Sequence, residues 1–236
     1  MSPTPSDLHD GGMNTTALLP AAATLEPSAP AAPALVEARA LTRIWGRGEA
    51  AQIGVEQVDL DIRRGELVAV IGPSGSGKST LGALLAGIDT PTSGSLVVDG
   101  VRIDRMKTDR LAAWRGSHVG IVFQDFHLLP TLTAAENVEL AIELSGAGAG
   151  RRLRRSAARE ALDRVGLADH ARKLPAQMSG GEQQRIGIAR AMVNQPALIV
   201  ADEPTGALDQ ANGHAVFELL VGLARSGSTV VFITHD

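Results

Sequence analysis

The chain has 236 residues, 22 Lys and Arg against 26 Asp and Glu, a formal net charge of −4 and no cysteine, a size that suits one large α/β domain or two small ones with ample core. Disulfides and cysteine–zinc sites are excluded, and the lack of cysteine fits a reducing compartment. Charges of both signs are interspersed, so nothing favours nucleic acid as a partner. No apolar run reaches the roughly 18 residues of a membrane helix, so any membrane role must come through a partner.

Residues 1–34 contain no Lys or Arg and are rich in Pro, Ala, Ser and Thr, with prolines at 3, 5, 20, 27, 30 and 33 breaking any helix. They read as a disordered tail; without a basic n-region they do not read as a signal peptide. From residue 35 the pattern becomes extended over 36–41. Val58, Leu60 and Ile62 then alternate with Asp59, Asp61 and Arg63, the period of a half-buried strand. Trp45 falls between these strands, where periodicity alone makes it an aromatic packed on a sheet.

The next stretch organises the rest. Residues 66–85, ELVAVIGPSGSGKSTLGALL, pair a short apolar run with a glycine-rich loop and a helical pattern of Leu81, Leu84 and Leu85. Gly72, Gly77, Lys78 and Ser79 fill G-x-x-x-x-G-K-[ST] in the strand–loop–helix context that a phosphate-binding loop requires. Its remaining members are Pro73, Ser74, Gly75, Ser76 and Thr80. Backbone N–H groups must close around a polyphosphate there, and side chains would obstruct them. Lys78 would reach the β- and γ-phosphates, and the Ser79 hydroxyl would ligate Mg²⁺.

Beyond the loop, Asp99-Gly100 between two alternating runs predicts a hairpin. A short helix is expected over 109–115 and a buried strand over 118–124, ending on Gln124. Strand tips are where α/β folds keep their chemistry, although Gln124 could simply meet water there. Residues 125–132, DFHLLPTL, place His127, Leu128, Leu129 and Leu132 around Pro130. They suit a docking patch or burial in the chain's own core equally well. Thr133 and Glu136 form a capping box for a helix to residue 144. Residues 151–165 carry six arginines on an amphipathic helix, read as a solvated face rather than a patch for nucleic acid or lipid.

Ser179, Gly180 and Gly181 precede a helix with Ile186, Ala189 and Met192 on its inward face, offering a second set of free N–H groups to an anion. Two such places in a chain with one phosphate loop imply a shared site. The strand over 197–204 ends in Asp202, suited to Mg²⁺, and Glu203, placed to polarise a water. Without the phosphate loop, adjacent acids would read as a cap or turn. Residues 205–209 lead into a helix to about residue 224, and a last buried strand covers 229–234 with His235 just beyond.

From about residue 35 to 236 the chain resembles the nucleotide-binding domain of ATP-binding-cassette (ABC) proteins. Gly72 to Ser79 resemble the Walker A loop, Gln124 the Q-loop glutamine, and Ser179 to Gln183 the family signature, with Met178 in place of its usual leucine. Asp202 and Glu203 resemble the Walker B aspartate and catalytic glutamate, Ala207 to Asp209 the D-loop, and His235 the switch histidine. The resemblance implies an α/β P-loop NTPase with a mainly parallel core sheet, an N-terminal antiparallel β subdomain and a helical subdomain over about 125–178. It raises Trp45 to the role of stacking on adenine.

It further implies ATP and Mg²⁺ as ligands, with Ser79, Gln124 and Asp202 at the metal and Glu203, His235 and Gln124 in catalysis. Two copies would face head to tail, each nucleotide held between one Walker A loop and the partner copy's signature. Within the superfamily, residues 122–140 and 201–209 look most like the lipoprotein-release, macrolide-efflux and cell-division group. A separate transmembrane permease subunit is then implied at the cytoplasmic face of a bacterial inner membrane, meeting residues 125–130. Export or extraction of a substrate is the leading expectation; signalling through a membrane partner without transport is the alternative. Family members continue past the switch histidine with a helix and a strand or two, whereas this sequence stops at Asp236, so an exposed sheet edge is expected.

Overall fold

Two sheets carry the structure, and each follows from a different hydrophobic period. The computed structural model describes residues 34–146, 148 and 150–235; the expected N-terminal tail lies outside them, apart from Ala34. The first sheet is antiparallel, in the order β2-β1-β4-β5, from β1 (Ala34–Trp45), β2 (Gln52–Arg63), β4 (Ser93–Val98) and β5 (Val101–Arg102). Its inner face buries Leu35, Val36, Ala38, Leu41, Ile62, Leu96 and Val98. Trp45 is the last residue of β1, paired with Gln52, and does not lie between strands. In the hairpin, Asp99 (φ 53°) and Gly100 (φ 73°) both adopt the left-handed conformation of a two-residue turn.

The second sheet is parallel, in the order β3-β8-β7-β6, from β3 (Leu67–Ile71), β6 (Val119–Val122), β7 (Leu198–Asp202) and β8 (Thr229–Thr234). The interior strands β7 and β8 are buried almost throughout, so they read as continuous apolar runs and not as alternation. Leu198, Val200, Val231 and Ile233 enter the core shared with the antiparallel sheet and α1 (Lys78–Leu85). Ile199, Ala201, Val230 and Phe232 enter a second core on the opposite face. β3 is an edge strand: Val68 and Val70 face the first core, while Leu67 and Ile71 on its other face are exposed.

β6 is shorter than the sequence suggests. His118 ends α2 (Thr108–His118), where its Nδ1 lies 2.9 Å from the Trp114 carbonyl oxygen and its ring stacks on Trp114 at 5.1 Å. These local contacts hold His118 in the helix and leave β6 four residues. Phe123 and Gln124 lie past its end.

The second core is roofed by α3 (Ala134–Leu144), α4 (Arg151–Arg164), α5 (Gly180–Met192) and α6 (Gln210–Arg225). The expected capping box opens α3: Thr133 Oγ1 accepts the Glu136 N–H, and the Glu136 carboxylate accepts the Thr133 N–H. In α4 only Ala158, Ala161 and Leu162 are buried and most arginines lie exposed, with Arg155 reaching Glu139 on α3. α5 buries Ile186, Ala189 and Met192, as their spacing implies.

Candidate nucleotide site

The loop between β3 and α1 ends on a glycine that no other residue could replace. Gly77 has φ 89°, and a Cβ there would fall 2.0 Å from the Gly54 carbonyl oxygen on β2. α1 has no side-chain cap, unlike α3, α5 and α6, so its first-turn N–H groups remain available to an anion. Lys78 is buried, and its Nζ donates to the carbonyl oxygens of Gly72 (2.7 Å) and Pro73 (2.9 Å). An ammonium has three donors, so these bonds fix its position and still leave one to offer a ligand.

A cleft of about 410 Å³ opens over this loop. Ser74, Gly75, Gly77, Lys78, Ser79 and Thr80 form its floor; Trp45, Ile53 and Gly54 close one side, and Glu203 reaches in from another. Gly72, Pro73 and Ser76 form the base of the loop without lining the cleft. Ser76 N–H donates to the Pro73 carbonyl oxygen, a turn that sets the loop's curvature.

The tip of β7 delivers both acids. Asp202 ends β7, and Ser79 Oγ donates to its Oδ1 at 3.2 Å. Burial pushes the Asp202 carboxyl above its ordinary range; Glu203 beside it adds to this, while the Ser79 hydrogen bond and Lys78 pull it back. Glu203 stands in the left-handed region (φ 46°), an uncommon conformation for a residue with a side chain. It is held there by its own N–H donating to the Ile233 carbonyl oxygen (2.9 Å) and by its carbonyl oxygen accepting from Gly206 N–H (3.0 Å). Its Oε2 lies 3.1 Å from His235 Nδ1, just past β8.

Gln124 is exposed and does not line the cleft. It lies against the 203–206 turn, where a Cβ on Gly206 would come 3.1 Å from its Nε2. Ser179, Gly180, Gly181 and Asp209 are gathered elsewhere, also outside the cleft lining. Ser179 caps α5 through a capping box with Glu182. Asp209 caps α6 by accepting the Asn212 N–H (2.9 Å), and Asn212 presses so closely on Gly181 that a Cβ there would meet its Oδ1 at 2.3 Å. The signature turn and the D-loop are thus packed as one surface.

Arg43 escaped the sequence reading. It lies 5.6 Å from the centre of the Trp45 ring and forms a half-buried ion pair with Asp89 at 2.7 Å. Its position two residues before Trp45 on a strand put both on one face, which was the available signal. Gln184 was missed as well: a fully buried amide in α5, whose Nε2 donates to the carbonyl oxygens of Phe123 (3.0 Å) and Pro204 (2.7 Å).

The chain is similar to known proteins. Residues 55–206 match the family described as ABC transporter. An uncharacterized ABC transporter ATP-binding protein of Methanocaldococcus jannaschii is 45% identical over 202 residues, covering 86% of this chain and 89% of the relative. A macrolide export ATP-binding/permease protein of Rhodopseudomonas palustris is 48% identical over 202 residues, and a probable syringafactin export ATP-binding/permease protein of Pseudomonas syringae 46% over 203. They cover 85% and 86% of this chain, which spans only 30% and 31% of their lengths. A dimeric ATP-binding cassette solved in a post-hydrolysis state with ADP and Pi superposes with a TM-score of 0.78 at 41% identity, covering 85% of this chain and 88% of that one. In sequence and in fold, the chain belongs to the ABC transporter family, as an ATP-hydrolysing cassette.

Proposed function

We propose that this cassette works as a pair of identical chains, using ATP and Mg²⁺ to drive a separate transmembrane permease in the export or extraction of a substrate. The observation that carries the reading is the convergence of Lys78, Ser79, Asp202, Glu203 and His235 on the phosphate loop. Pairing is supported by the dimeric cassettes to which the chain is similar. It also gives a use to the turn at Ser179, Gly180 and Gly181, which lies outside its own chain's cleft: in a head-to-tail pair it would close on the partner copy's nucleotide.

The cleft suits a magnesium-bound triphosphate. Among the described residues no group of three His, Cys, Asp or Glu could hold a metal unaided. Magnesium characteristically takes one carboxylate, a hydroxyl and phosphate oxygens while keeping waters. Ser79 and Asp202 provide that partial set, and the desolvated Asp202 carboxyl gains a cation to offset its burial. Gln124, beside the 203–206 turn, would complete it. When bound, Mg²⁺ draws charge from the β- and γ-phosphate oxygens.

In the reaction we assign to this site, Trp45 stacks on the adenine, and Lys78 with the loop N–H groups holds the β- and γ-phosphates. Glu203 accepts a proton from a water as that water's oxygen bonds to the γ-phosphorus and the bond to the β-phosphate oxygen breaks. His235 orients Glu203 through their 3.1 Å contact and would sense or clamp the γ-phosphate. Positioning and charge stabilisation do most of the work, as phosphoryl transfer requires.

The permease contact is assigned to residues 125–130. Leu128 packs into the helical-side core, but His127, Leu129 and Pro130 are exposed, braced from beneath by Arg190 and Asn137. No described helix is long and apolar enough to cross a membrane, so anchoring at the cytoplasmic face would come from that contact. The relatives named for a function are export proteins, which supports transport over signalling. The test is affinity purification from membranes with ATPase assay: a multi-span membrane protein recovered with the chain, lost when Leu129 is replaced by Asp, supports the reading. Recovery of the chain alone, with hydrolysis intact, would remove the permease from it.

A further inference from the structure

Resting on the reading of Glu203 and Gln124 as the groups that handle water and metal, we propose that Gln184 is a positioning residue for that chemistry. Its amide locks α5, the helix that begins at the signature turn, to the backbone beside both Gln124 and Glu203.

The geometry is specific. Gln184 is 0% exposed, and its Nε2 spends both N–H donors on carbonyls remote in sequence: Phe123, whose peptide bond leads into Gln124, and Pro204, the residue after Glu203. One amide nitrogen therefore ties together the three segments that carry the Q-loop glutamine, the strand-tip glutamate and the signature. Its orientation is not interchangeable, because turning the amide over would set its oxygen against two carbonyl oxygens.

Three observations separate this from ordinary core packing. A buried Leu or Met would fill the same space without a polar atom, and buried amides are costly unless fully bonded. Here the Oε1 atom is buried and accepts no hydrogen bond among the described residues, so the two bonds of Nε2 are made at the cost of an unmet acceptor. Both acceptors flank residues that need exact placement, and Glu203 in particular occupies a left-handed conformation that only its surroundings maintain. The brace holds the Pro204 carbonyl, and with it the peptide that follows Glu203. A displacement of α5 at the signature end is thereby passed to both site residues through one side chain.

The experiment uses the full chain and compares Gln184→Met, which keeps the volume and removes both donors, with Gln184→Asn, whose shorter amide reaches one carbonyl at most. Wild-type hydrolysis of Mg-ATP is measured first: if it is absent, the functional reading fails, independently of Gln184. With hydrolysis present, Gln184→Met is expected to bind ATP within twofold of wild type, because the phosphate loop is untouched, while kcat falls about tenfold. Gln184→Asn is expected to lie between. A folded Met variant with kcat within twofold of wild type overturns the proposal. So does an equal loss of kcat and ATP affinity, or failure of both variants to fold, since either assigns Gln184 to the scaffold alone.

Discussion

His235 Nδ1 lies 3.1 Å from Glu203 Oε2, joining the tips of the neighbouring strands β7 and β8 at the edge of the cleft. The histidine holds the carboxylate's orientation, while the 203–206 turn holds its backbone.

Replacing Glu203 with Gln preserves shape and removes the proton acceptor. Turnover is expected to fall by roughly 10²-fold or more, the usual contribution of a positioned general base, while ATP binding persists. Phosphate release together with a nucleotide titration checks both halves. Hydrolysis near the wild-type rate would mean the base lies elsewhere.

Asp202→Asn keeps an acceptor for Ser79 and removes the charge. The expected outcome is a rise in the Mg²⁺ concentration needed for half-maximal hydrolysis, with binding of metal-free ATP little changed. Chelation of Mg²⁺ from the wild type should stop turnover reversibly. An unaltered Mg²⁺ requirement in Asp202→Asn would move the metal away from β7.

Trp45→Ala is expected to weaken ATP binding by about tenfold, in line with the roughly 1–3 kcal/mol of base–aromatic stacking, with kcat at saturation near wild type. Arg43→Leu, which leaves the ring but removes the cation behind it, should give a smaller loss. Tryptophan emission on nucleotide addition supplies a second reading. If Trp45→Ala binds normally, the ring only packs on β1 and β2.

Ser179→Ala removes the N-cap of α5, a loss of about 1 kcal/mol of stability on its own. Hydrolysis should fall by more than that loss explains, although Ser179 lies outside its own chain's cleft. Thermal melting and turnover measured side by side separate the two effects. Full activity would rule out the head-to-tail pair.

Acid should destabilise the fold through carboxylates whose bonds favour the charged form. The Arg102 guanidinium, with the Leu96 N–H, holds Asp104 below its ordinary range; the Thr133 and Ser179 N–H groups do the same for Glu136 and Glu182. Each contributes fully above the unfolded carboxylate range, and its contribution is lost as pH falls through the depressed folded value. The melting temperature should be level from neutral pH to about 5 and decline below about 4. Asp104→Asn should be less stable at neutral pH and show a shallower decline in acid.

Much of this site was legible because its chemistry needs residue types at fixed spacing: Gly72, Gly77, Lys78 and Ser79 announce a phosphate loop, and Asp202 with Glu203 ends an apolar strand. Thr229 to Thr234 matched β8 residue for residue because it is buried on both faces. Less legible were contacts made at a distance. No local pattern says that Gln184 reaches Phe123 and Pro204, since helix periodicity reports which face is inward and not what it bonds. His118 reads as strand beside its apolar neighbours, whereas its stacking on Trp114 holds it in α2. Residues 125–132 were ambiguous for a sound reason, as the structure divides them: Leu128 goes inward and Leu129 outward.

The alternation of β7 and β8, with Leu198, Val200, Val231 and Ile233 facing one way and Ile199, Ala201, Val230 and Phe232 the other, separates two cores with one sheet. The sheet is a party wall between two households. Packing on the helical side can thereby be repaired or altered without disturbing the chamber that supports the phosphate loop, provided the wall's two-residue rhythm is kept.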